Sequence, residues 1–457
     1  MRHHSIIARL GPADAAPIAP VHADTHVTEI SFIDGHHRPG YGLGQALDQL
    51  GALGLRPSET SVDLALLAAT ITAADTRISR ATEAQDAWTR EIDLYLPVQN
   101  PTLWSSLAHL IVKTLNFLTG DHWAIHFRPR IENVTALASA PQSPRTAFPT
   151  AVCLFSGGLD SFIGAIDLLA SDERPILVSH YWDSVTSTHQ THCAQALRHH
   201  FPGIDLHHIR ARVGFPNDTV EGTSIENTLR GRSFMFFALA AMVADAIGGD
   251  RVVHVPENGF ISLNVPLDPL RLGALSTRTT HPFYMARFDE LLGGLGLRVR
   301  LYNRYAHQTK GQMAKGCADR DFLRKEASQT MSCSSPASRR YDPDPSQREP
   351  KHCGRCVPCL IRRAAILEAW GADDTPYRIP DLAARVLATN RAEGENVRSF
   401  QLALSRLKKK PNRSKFDIHR PGPLTDHPKN LADYEAVYVA GLEEVGRLLK
   451  GVRAGRL

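Results

Sequence analysis

Ala151-Val152-Cys153-Leu154-Phe155-Ser156-Gly157-Gly158-Leu159-Asp160-Ser161-Phe162 is the stretch on which the fold turns. Its first five residues form an apolar run of strand length, and residues 162–170 follow with helical spacing. Between them, two glycines let the backbone approach an anion closely, with the N–H groups of the turn pointing at it. The positive end of the following helix adds roughly 0.3–1 kcal/mol of attraction at an exposed site. Ser156 and Ser161 supply hydroxyls, so Ser156, Gly157, Gly158, Leu159, Asp160 and Ser161 together read as a phosphate loop. The charge of Asp160 needs an offset, which Mg2+ on a bound pyrophosphate would give. No Gly-Lys-Ser/Thr follows, which excludes the loop of kinases and γ-phosphate hydrolases.

Outward from this loop, residues 175–180, 206–209 and 252–255 read as strands, and 191–201 and 231–248 as helices. Alternating strands and helices predict an α/β core over 150–327, a parallel doubly wound sheet with ligands beyond the carboxyl ends of its strands. Upstream, 62–80 has helical periodicity with Asp75, Arg77 and Arg80 outside the apolar stripe. A second helix is expected over 104–118, and strands over 92–98 and 122–127. These predict an α+β accessory domain over 28–137, after a tail at 1–27 and before a Pro- and Ser-containing linker at 138–149. Downstream lies a polar loop at 328–350. Helices expected at 361–370, 381–389 and 431–449 make 366–457 a C-terminal helical extension.

The chain has 457 residues, 43% hydrophobic and 22% charged, enough for several domains with real cores. No apolar run approaches the ~18 residues of a membrane span. No secretory signal is evident at the N-terminus, so a cytoplasmic protein is expected. A net charge of +5 permits a nucleic-acid partner without requiring one.

Three of the seven cysteines fall in Cys353-Gly354-Arg355-Cys356-Val357-Pro358-Cys359. Two successive C-x2-C steps present thiolates to one tetrahedral ion, and four thiolates make a structural Zn2+ site over 328–365. Cys333 is the first choice for the fourth ligand, with Cys317 and His352 as alternatives. Cys153 and Cys193 read as core residues.

The form S-G-G-x-D-S resembles the PP-loop ATP pyrophosphatases. Adding Gly231-Arg232-Ser233 at a helix start, Thr309-Lys310 and the cysteine pattern, residues 151–365 resemble the 7-cyano-7-deazaguanine synthases (QueC). That resemblance implies ATP-dependent adenylation of a 7-carboxy-7-deazaguanine-like carboxylate, with pyrophosphate release and transfer to an amine. It places Gly231 and Arg232 beside the nucleotide, and makes Asp160, Arg232 and Lys310 the catalytic set. Its substrate segment is altered here, and Glu257, Asn258, Arg271, Arg278 and His281 are the candidates in its place. The cysteine loop 334–352 is longer than usual, and extensions flank both ends. These departures resemble the long QueC-like proteins of bacterial Qat anti-phage cassettes (QatC). The resemblance implies cassette proteins as partners, one of them an acceptor whose amine yields a deazaguanine–protein conjugate.

Two other readings remain at this stage. A PP-loop tRNA-thiolation enzyme would use the cysteines for an iron–sulfur cluster and the basic run 406–420 for RNA. A non-catalytic nucleotide-binding scaffold of a defence complex would keep the fold without turnover.

Overall fold

The first strand lies inside the stretch that the sequence reads as a tail. In the computed structural model, which describes residues 2–456 except 34–37, 85, 133, 135, 139, 146, 147, 172, 269–277, 339, 346 and 347, His3–Arg9 forms β1. Ile6, Ile7 and Ala8 are at most 1% exposed. β1 pairs in parallel with β2 (Thr25–Ser31) and with β3 (Glu91–Val98). α1 (Leu43–Ala52), α2 (Glu59–Arg77) and the short α3 (Arg80–Glu83) connect β2 to β3. α4 (Pro101–Thr119) connects β3 to β4 (His122–Pro129), and the strand order is β2-β1-β3-β4. All pairs are parallel, so this layer is α/β rather than the expected α+β. The reason lies in the connections: the irregular stretch 10–24 after β1 and the helical crossovers after β2 and β3 are each long enough to return the chain for a parallel strand.

The second sheet carries β5 (Ala151–Leu154), α5 (Leu159–Ala170), β6 (Pro175–His180), α6 (Ser184–His200) and β7 (His208–Ala211). It continues through α7 (Arg232–Ile247), β8 (Arg251–His254), α8 (Gly259–Leu263), α9 (Pro282–Gly294) and β9 (Val299–Tyr302). Its order is β7-β6-β5-β8-β9, and every pair is parallel. The winding reverses between β5 and β8. In open parallel sheets that switch point is where ligands bind.

α7 is apolar on all sides and packs on β5, β6 and β8. α2 lies between α7 and the first sheet, touching β1 and β3, and every residue from Ser61 to Thr76 is buried. One hydrophobic core therefore runs through both sheets, taking in Ile6, Leu67, Phe237 and Val253. Asp75, expected outside an apolar stripe, is buried because α2 has no solvent face along Ser61–Thr76; Arg80, expected there too, lies beyond α2 in α3 and is likewise buried. Their charges are balanced internally. Arg90 lies 2.9 Å from Asp75 and 2.6 Å from Asp121, and Arg80 lies 3.3 Å and 2.5 Å from the same two carboxylates.

The chain ends in α10 (Lys310–Gly316), α11 (Arg320–Glu326), α12 (Val357–Trp370), α13 (Ala392–Lys409), α14 (Ser414–Asp417) and α15 (Leu431–Leu448). Residues 381–389, expected helical, instead form an irregular stretch. It closes in β10 (Leu387–Ala388), paired in parallel with β11 (Ala454–Gly455). A nine-residue segment is too short to hold a helix by itself, and tertiary pairing decides its conformation. No helix among the described residues is long and apolar enough to cross a membrane.

Buried histidines make this fold acid-sensitive. His180 ends β6, and its Nε2 lies 3.0 Å from the Val213 carbonyl oxygen. Burial, helped by Arg232, lowers its pKa to about 4; burial and Arg278 lower that of His281 to about 3. Both are held neutral below the ordinary 6.5, so the unfolded chain takes up these protons first. Stability is full above pH 6.5 and falls as the pH drops toward 4 and then 3, by about 1.4 kcal/mol per pH unit per proton. Thermal unfolding midpoints should decline steadily across that window; a flat profile from pH 7 to 4 would contradict this.

Candidate functional site

The loops after β5 and β8 meet at the switch point. Gly157 turns the chain with φ 78°, and a Cβ there would stand 3.0 Å from the amide nitrogen of Gln190 on α6. Gly158 N-caps α5. Ser156 Oγ accepts from the Gly158 amide at 3.3 Å and lies 3.2 Å from Ser161 Oγ, which donates to the Gly158 carbonyl at 3.0 Å. A separate segment braces the loop from outside: the Met331 amide donates to the Gly157 carbonyl at 2.8 Å, and the Leu159 amide to Ser332 Oγ at 3.4 Å. The Leu159 amide, expected to face a phosphate, is thus engaged by Ser332.

Asp160 occupies the first turn of α5 and is 5% exposed. Lys310 Nζ lies 2.8 Å from one oxygen, and Asn258 donates to the other through Nδ2 at 2.7 Å and its amide at 3.2 Å. Burial opposes ionisation of Asp160, but Lys310 and the Asn258 amide group hold its carboxyl below the usual range. Glu257 moves the other way: burial, then repulsion by Asp160, pushes its carboxyl well above the usual range. The two neighbouring carboxyls are thus driven in opposite directions, as like groups sharing a site are. Lys310 is positioned by its helix start, where Thr309 and Gln312 form a capping box. Thr309 also hydrogen-bonds Glu444 of α15.

Arg232 opens α7 after Gly231, whose amide donates to Asp75 at 2.7 Å. Its guanidinium stacks over Trp182 at 4.1 Å and makes no ion pair among the described residues. Burial lowers its pKa to about 10, so it stays charged at neutral pH. Ser156, Ser161, Arg232, Glu257 and Thr280 line one cavity of about 230 Å3. Thr280 Oγ1 is buried there without a hydrogen-bond partner among the described residues. A partly buried cation without an ion-pair partner among the described residues, beside two hydroxyls and a helix N-terminus, has the chemistry that suits an anion.

The other sequence candidates fall differently. Arg278 donates to the Phe117 carbonyl at 2.7 Å and stacks on that ring, tying it to α4. His281 N-caps α9, where its Nδ1 accepts from the Phe283 amide at 3.2 Å. Arg271 lies outside the described residues. Trp182, Ser332 and Thr280 carry no motif, and only the fold brings them to the loop.

Beside the Ser156–Ser161 loop stands the cysteine centre. The sulfurs of Cys333, Cys353, Cys356 and Cys359 all lie within 4.8 Å of one another, with Cys333 to Cys356 at 4.0 Å and Cys353 to Cys359 at 3.8 Å. Zinc–sulfur bonds of about 2.3 Å in a tetrahedron put sulfurs about 3.8 Å apart, so the cluster fits one Zn2+. Backbone amides point at the sulfurs, Cys356 N to Cys353 Sγ at 3.2 Å and Cys353 N to Cys333 Sγ at 3.3 Å, which favours thiolates. Cys317 instead packs in the core beneath α11, where burial pushes its thiol up to about 12. His352 turns inward, its Nε2 accepting from the Ser332 amide at 3.2 Å. The spacing suits a single ion; a multi-iron cluster holds its thiolates farther apart.

No family model matches the chain, and no solved structure does. The 7-cyano-7-deazaguanine synthase of Novosphingobium aromaticivorans is 28% identical over 255 residues, covering 51% of this chain and 97% of that protein. The chain is therefore a distant homologue, over half its length, of 7-cyano-7-deazaguanine synthase.

Proposed function

We propose that the chain is a PP-loop enzyme that adenylates a 7-carboxy-7-deazaguanine-like acid with ATP and passes the acyl group to an amine. The observation that carries this is Arg232, a cation without a carboxylate partner, sharing one cavity with Ser156 and Ser161 at the sheet's switch point. A substrate carboxylate oxygen attacks the α-phosphorus, and the bond to the β-phosphate bridging oxygen breaks, releasing pyrophosphate. An amine nitrogen then attacks the acyl carbon, loses a proton and expels AMP. The residues position and neutralise rather than supply a nucleophile. Ser156, Gly157, Gly158 and Ser161 receive the departing pyrophosphate. Arg232 and Lys310 balance its charge. Asp160 and Glu257 would offer oxygen donors to Mg2+, and a dication there would favour the ionised form of Glu257 against burial and the neighbouring Asp160.

The amine is ammonia or, in the reading we favour, an amine of a partner protein in a bacterial anti-phage cassette of the Qat type. The altered segment at 256–259 and 276–282 and the added α13–α15 region support a changed acceptor. The basic run 406–420 gives RNA less support, since Arg413 and Arg420 pair with Asp417 at 3.3 and 3.8 Å.

The test is incubation with ATP and 7-carboxy-7-deazaguanine, with and without cassette proteins, reading AMP, pyrophosphate and product masses. Pyrophosphate release and a deazaguanine mass on the partner are expected. Arg232→Met should lower kcat/KM by about 10²–10³-fold, the usual loss on removing one preorganised charge-stabilising donor. ATP binding without α-phosphate cleavage would overturn the adenylation and leave a scaffold. Free nitrile beside an unmodified partner would overturn the conjugation.

A further inference from the structure

At the amino edge of the first sheet, three metal-ligating side chains from separate segments converge. His3 opens β1, Asp93 lies in β3 where its register partner on β1 is Ser5, and His22 sits just before β2. His3 and Ser5 share one face of β1, so His3 and Asp93 are diagonal neighbours on one surface. His3 Nε2 stands 3.6 Å from one Asp93 oxygen and His22 Nε2 3.9 Å from the other. The nearest ligand atoms of all three lie within 4.8 Å of one another.

These distances are too long for hydrogen bonds. Asp93 is nonetheless 2% exposed, and its Oδ2 has no hydrogen-bond partner among the described residues. A buried carboxylate oxygen left this way is costly unless something else satisfies it. Both imidazoles are oriented toward it. His3 Nδ1 hydrogen-bonds Thr25 Oγ1 at 3.1 Å, which leaves Nε2 facing Asp93. His22 rides on a segment fixed by the Val21 amide donating to Tyr95 Oη of β3 at 2.8 Å. An outer hydrogen bond on the remote ring nitrogen is the usual support for a metal-bound histidine.

We infer that His3, His22 and Asp93 form a second metal site, binding a zinc-class divalent cation with water in its open position. Nitrogen and oxygen ligands about 2.0–2.2 Å from a tetrahedral ion lie about 3.4 Å apart; the three ligand atoms here lie within 4.8 Å of one another, so binding draws them inward, and the exposed His22 has room to move. Three protein ligands leave a fourth place vacant, unlike the sealed four-thiolate centre. A cavity of about 620 Å3 opens over the site, with Glu91 and His122 also on its wall. The ligand chemistry is hard and sulfur-free, so the two centres can be told apart.

The experiment uses full-length protein without a histidine tag, stripped of metal, re-equilibrated with Zn2+ and desalted. Two zinc ions per chain are expected, falling to one in His22→Ala and in Asp93→Asn. Cobalt substitution should give thiolate charge-transfer absorption together with weak visible bands from the nitrogen–oxygen site. His22→Ala should lose the weak bands alone. The His22 side chain is 56% exposed, so that variant tests the site even if Asp93→Asn fails to fold. One zinc per wild-type chain, or two zinc ions retained in His22→Ala, would overturn the inference.

Discussion

Stripping metal from the four-cysteine centre is expected to loosen the segment that carries Cys333 and to abolish the nucleotide binding proposed for the Ser156–Ser161 loop. Structural zinc contributes on the order of 10 kcal/mol at pH 7 in small zinc-finger peptides. The effect should reach the loop because the ligand segment is also its brace. Cys333 follows directly on Met331 and Ser332, which hydrogen-bond Gly157 and Leu159. Arg362 of α12, fully buried, locks the same segment by donating to Thr330 Oγ1 at 2.7 Å and Ser332 Oγ at 3.4 Å. Cys333→Ser should reproduce the loss, seen as a missing thiolate-to-cobalt band and a missing ATP signal in calorimetry. Cys317→Ser should leave both intact. Undiminished ATP binding in metal-stripped protein would show that the brace does not depend on the ion.

Arg90→Met is expected to cost about 3–5 kcal/mol, the usual effect of removing one partner from a buried ion pair. Arg90 is fully buried, and its Nη2 alone contacts both Asp75 and Asp121. The same guanidinium donates to the Ile78 carbonyl at 2.6 Å, so methionine also orphans the end of α2. The damage should extend to activity, because Asp75 fixes the Gly231 amide immediately before Arg232. Urea unfolding should show a midpoint well below that of the wild-type chain, with weakened ATP binding in what remains folded. An unchanged midpoint would mean that the four charges contribute nothing net.

Much of the core was legible because its signals are local. A strand buried on both faces is an apolar run, as in Val152–Leu154. The glycine turn and the C-x2-C steps are spacings within a few residues. What escaped depends on partners far along the chain. β1 escaped because His3, His4 and Ser5 do not look like a strand start, although they lie mid-sheet. Asp75 looked like a solvent residue because periodicity sees one helix and cannot see a second layer packed on its far side. Glu257 was named without what defines it: burial, and then the Asp160 carboxyl that arrives from 97 positions upstream, raise its pKa. Arg278 had the right chemistry for a substrate carboxylate, and α4 claimed it first.

With apolar layers against both of its flanks, α2 works as a shared wall rather than a lid on one room. Excising everything before Thr150 would strip α7 of its cover and lay a greasy face open to water. The amino-terminal third is thus no detachable adaptor, and the second sheet owes the cover of its most apolar helix to the layer that precedes it.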